Sequence, residues 1–501
     1  MEQHRVWCVN TLQVILVMFI IIASITAIID PFCHYHKPFK GILISREQAY
    51  LNPGLVNLFE YDSLITGSSM VENFKTSYFK EVLGVDAIKA PYSGGSAKNM
   101  NAIMNKALKS NPNLKTIYLG LDLPMLRRDP EKTIFPLPYY LYDSNPFSDV
   151  SYLLNKDVLC KIDTYFEDGY NILRSIRGGI DNTFEFSFDD YSSWRHVFNF
   201  SQYTTVKPFM NETKADIPDL PSDEILRLPH DNLRMNILPL IESYPKTDFV
   251  IFFPPYSILY WYSSNVKNEI TILEYSIKTL LSYDNVKLYL FQNIPEIVTN
   301  LYHYKDYSHY NVNINDYMVD CFKNGAHQIT KDNYETELEK MKDLAEKFDY
   351  GVLFGESNPF ILEDDIPTYL AKLNVPRYLT FIITRADESI DVYNTLHNHH
   401  AQLALNNSVN SSGYAAVIQG NNVIYEESNE EAILYNDNIY GLSVNMVSEK
   451  RNGKNYVEVG INGVKYTTNQ EGINIVVYDA ELGRVMDNIA INIDDNVINR
   501  R

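Results

Sequence analysis

One stretch near the start of the chain combines a short apolar run, a glycine and two serines: Asp62-Ser-Leu-Ile-Thr-Gly-Ser-Ser-Met-Val-Glu-Asn73. The apolar residues Leu64 and Ile65 predict a buried strand, and the residues after Ser69 predict a helix. A serine between a strand and a helix lies where backbone N–H groups point outward and where the helix dipole favours negative charge. Ser69 is therefore a candidate nucleophile. Serine is also a preferred N-cap residue, and the stretch taken alone favours that structural role.

A second segment, Tyr304-Lys-Asp-Tyr-Ser-His-Tyr310, supplies the other groups that a nucleophilic serine needs. It places Asp306 three residues before His309. An imidazole can take the proton of a serine hydroxyl, and a carboxylate can orient that imidazole. Ser68 is the alternative nucleophile, and His303 is the alternative base, although it has no carboxylate at matching spacing. The alternative role of the Asp306 and His309 pair is to cap the following helix.

Composition and charge limit the classes of function. The chain has 501 residues, enough for two or three domains, and 45% hydrophobic residues, enough for real cores. A net charge of −20 argues against nucleic acid as a partner, because no phosphate-neutralising face is offered. The 38 tyrosines are a weak sign of a protein that handles sugars. The four cysteines have neither zinc-site nor disulfide-framework spacing, and no metal or cofactor is expected: Cys8, Cys33, Cys160 and Cys321.

Residues 11–29 form an uncharged, mostly apolar run of 19 residues. At 1.5 Å per residue a helix of this length spans roughly 28 Å, about one bilayer core. No signal-peptidase-like site follows, so the sequence predicts an uncleaved signal anchor, with a buried core helix as the alternative. The body of the protein is expected on the extracytoplasmic side. The positive-inside rule barely decides the orientation, because basic residues lie on both sides of the run: Arg5 before it, and Lys37, Lys40 and Arg46 after it.

From residue 59 onward, strand and helix patterns alternate. Strands are predicted at 64–66, 87–90, 114–119, 249–253 and 286–291, and helices at 71–83, 97–108, 269–281 and 315–330. This alternation predicts an α/β fold with a doubly wound parallel sheet, in which ligands bind beyond the carboxyl ends of the strands. One rim of that sheet would collect residues that follow the predicted strands: Ser69, Gly94, Gly95, Asp122, the two prolines at 254–255, Asp306 and His309.

Residues 59 to about 320 resemble the SGNH/GDSL hydrolases, and more closely the membrane-anchored branch that modifies cell-envelope polysaccharides. The serine block corresponds to Gly67-Ser68-Ser69, the glycine block to Gly94-Gly95, and the last block to Asp306-Tyr-Ser-His309. The resemblance implies a three-layer SGNH fold and catalysis by Ser69, His309 and Asp306. It also implies an oxyanion hole that contains backbone N–H groups near Ser69 and Gly95.

The third family block, Gly-x-Asn-Asp, reads Gly120-Leu-Asp122-Leu123 in this chain. The asparagine of the family donates a hydrogen bond to the oxyanion, which an ionised aspartate cannot do. Three alternatives stay open. Asp122 is protonated, another donor serves, or the backbone N–H groups suffice.

Between residues 124 and 246 the alternation stops and aromatic residues accumulate. Insertions over a catalytic rim often cover the substrate, and aromatic side chains there can stack on sugar rings. The alternative role for each of them is to fill the small core of a lid. The residues concerned are the run Pro136-Leu-Pro-Tyr-Tyr-Leu-Tyr142, Tyr191, Trp194, Phe198 and Phe200.

A smaller β-rich α+β domain is predicted after an amphipathic helix at 332–348. Hairpin turns are indicated at 419–422 and at Asn462-Gly463, and a helix at 389–404. The predicted divisions are a signal anchor (1–35), an SGNH-like domain (36–330), a connecting helix and linker (331–365) and the β-rich domain (366–501). Strands of this domain are predicted at 378–384, 473–478 and 485–493, and hairpins at 414–425 and 456–466.

The β-rich domain resembles the ILEI domain, a relative of which forms the glycan-binding stem of a mammalian O-mannose N-acetylglucosaminyltransferase. The similar blocks are Thr384-Arg-Ala-Asp-Glu-Ser389, Gly413-Tyr-Ala-Ala-Val-Ile418 and Gly472-Ile-Asn-Ile-Val-Val-Tyr-Asp479, in a permuted order. The resemblance implies that this domain binds carbohydrate or steadies the catalytic domain on its polymer. A domain that only packs on its neighbour is the alternative.

Two classes of function follow. The first is a serine esterase or O-acyltransferase that acts on ester groups of an extracytoplasmic polysaccharide through an acyl-serine intermediate. Acyl transfer would require a membrane protein as acyl donor, because a single span cannot carry acyl groups across a bilayer. The second class is a non-catalytic glycan-binding or polysaccharide-assembly protein that retains an SGNH fold. Asp122 favours the second class, and the Ser69, Asp306 and His309 set favours the first.

Overall fold

The computed structural model describes most of the chain, and the candidate catalytic residues all lie within the described part. Lys40, Arg46, Cys160 and Phe198 lie outside it, as do parts of the segment predicted as a helix at 389–404. The described residues are 2–39, 47–134, 136–143, 145–155, 158, 186–195, 200, 202–209, 217–353, 358–361, 363–386, 390–398, 403, 405, 413–420, 422–429, 431–451, 454–466, 470–492 and 494–500.

The first part of the chain is built on a six-stranded mixed sheet with the strand order β2-β1-β3-β4-β5-β6. The first five strands in the sequence are parallel, as the alternating pattern predicts, and β6 pairs antiparallel with β5. The strands are β1 (Ser63–Thr66), β2 (Ala87–Lys89), β3 (Thr116–Gly120), β4 (Asp248–Phe253), β5 (Val286–Leu290) and β6 (Gln328–Ile329).

Helices surround this sheet and form the N-terminal and connecting segments. Those of eight or more residues are α1 (Glu2–Ile29), α2 (Gln48–Leu58), α3 (Thr76–Leu83), α4 (Ala97–Ser110), α5 (Ser222–Asn232), α6 (Val266–Leu280), α7 (Val312–Asn324) and α8 (Tyr334–Lys347). Shorter α-helices span Leu123–Leu126, Tyr139–Tyr142, Val150–Leu153, Gln202–Val206, Leu238–Ser243, Ile258–Tyr262, Pro295–Val298, Ile366–Lys372 and Val392–Asn398. A π-helical turn spans Leu233–Ile237, and 3₁₀ turns span Ser69–Val71, Pro146–Asp149, Lys207–Phe209, Leu301–His303 and Tyr350–Leu353.

Both faces of the six-stranded sheet are covered. On one face, Tyr118 of β3 contacts Phe79 of α3 and Phe322 of α7, with ring centroids 4.9 and 5.5 Å apart. Successive side chains of a strand point to opposite faces, and the neighbours Ile117 and Leu119 are also fully buried. The strands therefore form the middle layer of the unit, as expected for near-continuous apolar strands.

Two helix boundaries differ from the sequence-based prediction. The segment 71–83 was expected to be one helix, but α3 begins only at Thr76. The Lys89 ammonium donates to the carbonyls of Glu72 and Phe74, which removes those acceptors from a continuous helix. The predicted helix at 315–330 ends at Asn324, because Gly325 adopts φ +78° as the left-handed cap and the chain then enters β6.

The C-terminal β-rich region contains two antiparallel sheets, with strand orders β16-β15-β14-β7-β8-β9 and β10-β11-β12-β13. The hairpin β10–β11 and strand β16 were not predicted. The strands are β7 (Tyr378–Ile383), β8 (Tyr414–Gln419), β9 (Asn422–Ser428), β10 (Ile433–Ile439), β11 (Leu442–Arg451), β12 (Lys454–Ile461), β13 (Val464–Tyr466), β14 (Ile473–Asp479), β15 (Arg484–Asn492) and β16 (Val497–Arg500).

The six-stranded sheet of this region has a core on each face. Phe381 of β7 packs in a cluster with Met446 and Val459 of the smaller sheet. Its neighbour Ile382 points to the opposite face and packs in a cluster with Tyr369 and Leu396, which lie on two short helices. The region thus has three layers: the four-stranded sheet, the six-stranded sheet and a layer that contains short helices. The sequence predicted an α+β domain without this order of layers.

A tyrosine of the first part of the chain lies in the core of the β-rich region. Tyr302 is 5% exposed and belongs to the cluster between the two C-terminal sheets. Its ring packs edge-on against Tyr466 of β13 at 5.4 Å, and the Tyr466 hydroxyl accepts a 2.9 Å hydrogen bond from Asn300. The 3₁₀ turn that carries Tyr302 leads directly into the segment that contains Asp306 and His309. The β-rich region therefore supports the start of that segment.

Helix α1 is long and apolar enough to cross a bilayer, and it is the single candidate span in the described part of the chain. Most of its large apolar side chains are exposed, so the rest of the described chain does not bury α1 as a core helix. Only 6% of its most apolar window is buried against the rest of the protein. The alternative of a buried core helix is wrong.

Candidate active site

Ser69, His309 and Asp306 meet in one hydrogen-bonded row. Ser69 Oγ lies 2.7 Å from His309 Nε2, and His309 Nδ1 lies 2.8 Å from Asp306 Oδ2. Ser69 and the His309 ring are partly exposed, so a substrate can reach them from solvent. The row has the order of nucleophile, base and orienting carboxylate that acyl transfer requires.

The electrostatics of Asp306 fix the tautomer of His309. Burial raises the pKa of the Asp306 carboxyl, but hydrogen bonds from the His309 ring and from the backbone N–H groups of His309 and Ser308 outweigh burial and hold it well below its ordinary range. An ionised carboxylate only accepts hydrogen bonds. His309 Nδ1 therefore carries the proton, and Nε2 presents its lone pair to the Ser69 hydroxyl.

The backbone brings Ser69 to the carboxyl end of β1. Ser69 opens a 3₁₀ turn of three residues, too short for the helix-dipole effect expected from the sequence. The capping role belongs to Ser68, whose hydroxyl accepts from the Met70 N–H. A side chain at Gly67 would place its Cβ 3.0 Å from the Gly120 carbonyl oxygen, so only glycine lets the ends of β1 and β3 approach this closely.

Asp306 and His309 lie in a tight hairpin, residues 304–310, which several tyrosines hold in place. Tyr304 and Tyr310 pair as an isolated antiparallel bridge at its base. The Tyr310 hydroxyl donates to the Met70 carbonyl at 2.8 Å, directly beside the candidate nucleophile. These buried contacts join the hairpin to the Ser69 turn and set the distance between base and nucleophile.

The loop with Gly94 and Gly95 differs from the sequence-based expectation. The Gly95 N–H donates to the Tyr92 carbonyl at 2.8 Å in a turn, so its hydrogen bond is already used. The N–H groups of Gly94 and Ser69, by contrast, donate to no other group in the described part of the chain. Gly94 is also exposed, whereas Gly95 is buried. Ser69 and Gly94 are therefore the better candidates for backbone donors to an oxyanion.

Side-chain hydrogen bonds hold this glycine loop on two sides. Gln48 of α2 donates to Glu72 Oε1 at 2.5 Å and accepts from the Ser93 N–H at 2.6 Å, and the Ser93 hydroxyl also donates to Glu72. On the other side of the loop, the Arg128 guanidinium donates to the Gly94 carbonyl. Sequence reasoning missed these residues. The only signal was a glutamate, Glu72, inside the quoted serine stretch.

Asp122 is buried beside the row. It is 4% exposed, and its Oδ1 has no hydrogen-bond partner within the described residues. Burial raises the pKa of Asp122 to about 6, while the hydroxyls of Ser68 and Tyr256 and the nearby His309 lower it. A carboxyl in this position can be protonated below pH 6, and in that form it can donate a hydrogen bond to an oxyanion.

We expect Asp122→Asn to raise kcat at pH 7 by up to about 10-fold, because one oxyanion donor is worth about 100-fold or more in kcat and a carboxyl with a pKa of about 6 is only about one-tenth protonated at pH 7. Below pH 5 the two proteins should be similar, since both then carry a donor at this position. The ratio of mutant to wild-type activity should therefore rise as the pH increases through about 6. The measurement is the pH profile of kcat for p-nitrophenyl acetate.

Asp122→Ala is the matched control, because it removes both the charge and the donor. It should not reproduce the gain at neutral pH. A loss of activity in Asp122→Asn at pH 7 would show instead that the ionised carboxylate has a positive role.

Aromatic and basic side chains from the insertion and the hairpin line the row. The half-buried Trp194 ring lies 5.6 Å from the His309 ring, edge to face, and 6.1 Å from Phe200 in a stacked arrangement. The Lys305 ammonium lies 4.7 Å from the centre of the Trp194 ring and 3.9 Å from Asp306 Oδ2. Tyr307 projects from the hairpin and is 44% exposed. The aromatic cover predicted from the sequence thus reaches the row through Trp194.

The alternative base does not contact the nucleophile. His303 is 5% exposed, burial lowers its pKa to about 4, and its ring lies near Asn300 and Asn311. Within the described residues, no group of three or more His, Cys, Asp or Glu side chains is arranged to hold a metal ion.

Comparisons of this chain with protein-family models, with curated proteins and with solved structures find no match.

Proposed function

We propose that this protein is a membrane-anchored serine esterase or O-acyltransferase that acts on ester groups of an extracytoplasmic polysaccharide. The observation that supports it is the row from Ser69 through His309 to Asp306, with 2.7 and 2.8 Å between successive partners. The resemblance to SGNH hydrolases agrees with this proposal.

In the proposed mechanism, Ser69 Oγ attacks the ester carbonyl while His309 Nε2 accepts its proton. The tetrahedral oxyanion binds to the N–H groups of Ser69 and Gly94, and Asp306 stabilises the imidazolium. His309 then returns the proton to the leaving alkoxide, which departs as an alcohol and leaves an acyl-serine. Water or a sugar hydroxyl, deprotonated by His309, attacks the acyl-serine and releases Ser69. Water gives a carboxylic acid, and a sugar gives a new ester.

A carbohydrate is the substrate class that the surroundings favour. Trp194 offers a partly exposed ring beside His309, and aromatic rings stack on the apolar faces of sugars. The adjacent Lys305 and the exposed Tyr307 can donate hydrogen bonds to sugar hydroxyls. The ILEI-like resemblance of the β-rich region agrees with a glycan partner. Acyl transfer would further require a membrane protein that delivers the acyl group.

A fluorophosphonate probe tests the proposed nucleophile directly. We expect the full-length protein to form a covalent adduct on Ser69, because the probe phosphorus is attacked by an activated serine and releases fluoride. Mass spectrometry of the digested protein locates the adduct, and protein unfolded in urea is the control for nonspecific reaction. An unmodified Ser69 in the folded protein would favour the alternative function, a glycan-binding or polysaccharide-assembly protein, which the carboxyl of Asp122 in the family's asparagine position also favours.

A further inference from the structure

A stripe of apolar side chains is exposed on the segment 146–154, outside the candidate active site. Phe147 is 86% exposed, Val150 is 59% exposed and Leu154 is 37% exposed. Their spacing of three and four residues places them on one side of the 3₁₀ turn Pro146–Asp149 and the helix Val150–Leu153. We call these three residues the apolar stripe. Exposure of such an apolar surface to water is unfavourable in free energy.

The opposite side of the same segment packs against the C-terminal end of α1. Tyr152 is fully buried, its ring contacts Phe32 with centroids 6.2 Å apart, and its hydroxyl donates to Asp30 at 2.7 Å. His34 Nε2 also lies 3.0 Å from Asp149 Oδ1. The apolar stripe is therefore held next to the point where α1 ends.

The junction that follows α1 is ordered by a carboxylate. Asp30 accepts hydrogen bonds from the backbone N–H groups of His34, Tyr35 and His36, at 2.8 to 2.9 Å. The chain then continues into the body, where a Cβ at Gly54 would lie 2.2 Å from the Cys33 carbonyl oxygen. Since the junction is close-packed, the end of α1 and the apolar stripe keep a fixed relation to each other.

Further exposed aromatic residues lie around the same junction. Tyr35 and Phe39 follow α1 and are 37% and 51% exposed, and Tyr139 precedes the stripe and is 60% exposed. At the other end of α1, Trp7 is 67% exposed. Tyrosine and tryptophan are enriched at the two bilayer–water boundaries, where their rings lie at the level of the lipid headgroups. The exposed aromatic residues thus bracket the apolar length of α1.

We propose that the apolar stripe of Phe147, Val150 and Leu154 inserts into the headgroup–acyl boundary of the bilayer that α1 spans. The proposal goes beyond the proposed function and requires α1 to lie in the membrane. A lipid surface fits the stripe because the segment that carries it packs beside the end of α1, whose own apolar side chains are exposed. The body of the protein then rests on the membrane instead of extending from it on a free tether.

Depth-dependent fluorescence quenching in the full-length protein tests this insertion. One cysteine at a time replaces Phe147, Met18 or Tyr440 in a Cys8→Ser, Cys160→Ser background, which keeps the buried Cys33 and Cys321. Each introduced cysteine carries an environment-sensitive fluorophore. The protein is reconstituted in phosphatidylcholine–phosphatidylglycerol vesicles whose lipids are brominated near the headgroup in one set of samples and near the end of the acyl chain in another. Met18 lies within α1, and Tyr440 lies in an exposed turn of the β-rich region. The two positions are the controls for lipid and for water.

We expect brominated lipid to quench the label at position 147 at least about threefold more than the label at position 440, and iodide to quench it less. The insertion is overturned if brominated lipid quenches the label at position 18 but quenches the label at position 147 no more than the label at position 440. If position 18 also behaves like 440, α1 is outside the bilayer and the proposal fails as well. Protection of position 147 in native membranes but not in these vesicles would assign the stripe to a protein partner and overturn the lipid assignment. Hydrolysis of p-nitrophenyl acetate by the same samples reports separately on the proposed function.

Discussion

Replacing Ser69 with alanine is expected to lower kcat for p-nitrophenyl acetate by about 1,000-fold or more. The reason is that Ser69 Oγ is the only hydroxyl in the described part of the chain that lies within 3 Å of His309 Nε2. Without it, the site can form no acyl-serine, and only the oxyanion donors and binding remain. His309→Ala should cause a loss of similar size, because nucleophile and base act as a unit. The double mutant should be little worse than either single mutant.

Ser68→Ala distinguishes the two adjacent serines. Ser68 caps the 3₁₀ turn through Met70 and also bonds to the Asp122 carboxyl. No hydrogen bond in the described part of the chain joins it to His309, so this variant should still form the acyl-enzyme. The expected cost is that of a lost cap, about 1 kcal/mol of stability. Circular dichroism and thermal unfolding of all variants show whether a loss of activity reflects chemistry or misfolding. Full activity in Ser69→Ala together with a loss of activity in Ser68→Ala would identify Ser68 as the nucleophile.

Replacing Tyr302 with alanine is expected to lower the free energy of unfolding by about 3–5 kcal/mol, the range for a buried aromatic side chain in a core. The residue is 5% exposed and fills the cluster between the two sheets of the β-rich region. Because the next residues enter the hairpin with Asp306 and His309, we also expect kcat to fall. Urea unfolding measures the first effect, and steady-state kinetics below the unfolding transition measure the second.

Tyr302→Phe is the matched variant for this prediction. The Tyr302 hydroxyl is buried without a hydrogen-bond partner in the described part of the chain, so its removal leaves packing intact and removes an unsatisfied polar group. We expect the stability to stay the same or to rise by about 1 kcal/mol. Equal destabilisation by phenylalanine and alanine would contradict this account, because it would assign the effect to the hydroxyl. An unchanged kcat in Tyr302→Ala would show that the β-rich region does not position the hairpin.

The sequence was most informative about the parallel strands, which its apolar periodicity marks, and about the catalytic candidates that follow them. Five short apolar strands separated by helical segments predicted the parallel part of the first sheet. Ser69, Asp306 and His309 were selected because they follow strands whose carboxyl ends share a rim, and the structure brings them within hydrogen-bonding distance. Local sequence pattern was enough to predict this site, because the carboxyl ends of parallel strands lie at one edge of the sheet and bring the residues that follow them together.

Other features depend on contacts that a sequence pattern does not carry. The helix expected at 71–83 starts late because a buried lysine, Lys89, binds the carbonyls of Glu72 and Phe74. The Gly95 N–H, expected as an oxyanion donor, already donates to the Tyr92 carbonyl. Neither contact follows from periodicity, since the first depends on where β2 places Lys89 and the second on how the backbone turns between Tyr92 and Gly95.

The hairpin β10–β11 was missed for a different reason. Its turn is Tyr440-Gly441, where both residues have positive φ, at 51° and 88°. Such turns are normally recognised by an asparagine or aspartate before the glycine, and tyrosine gives no such signal. Much of β10 is also exposed and polar, so the alternation that marks a half-buried strand is weak.

The distance along the chain between Ser69 and His309 has a consequence for biosynthesis. The two residues are 240 positions apart, and the tyrosine that leads into the His309 hairpin is buried by strands still later in the sequence. Contacts so distant in sequence form late, because loop closure must precede them. A nascent chain that has emerged as far as β3 has its nucleophile but neither base nor carboxylate. The row of Ser69, His309 and Asp306 can therefore form only after residues 304–310 have been made, and the support for its hairpin comes only with the later strands that bury Tyr302.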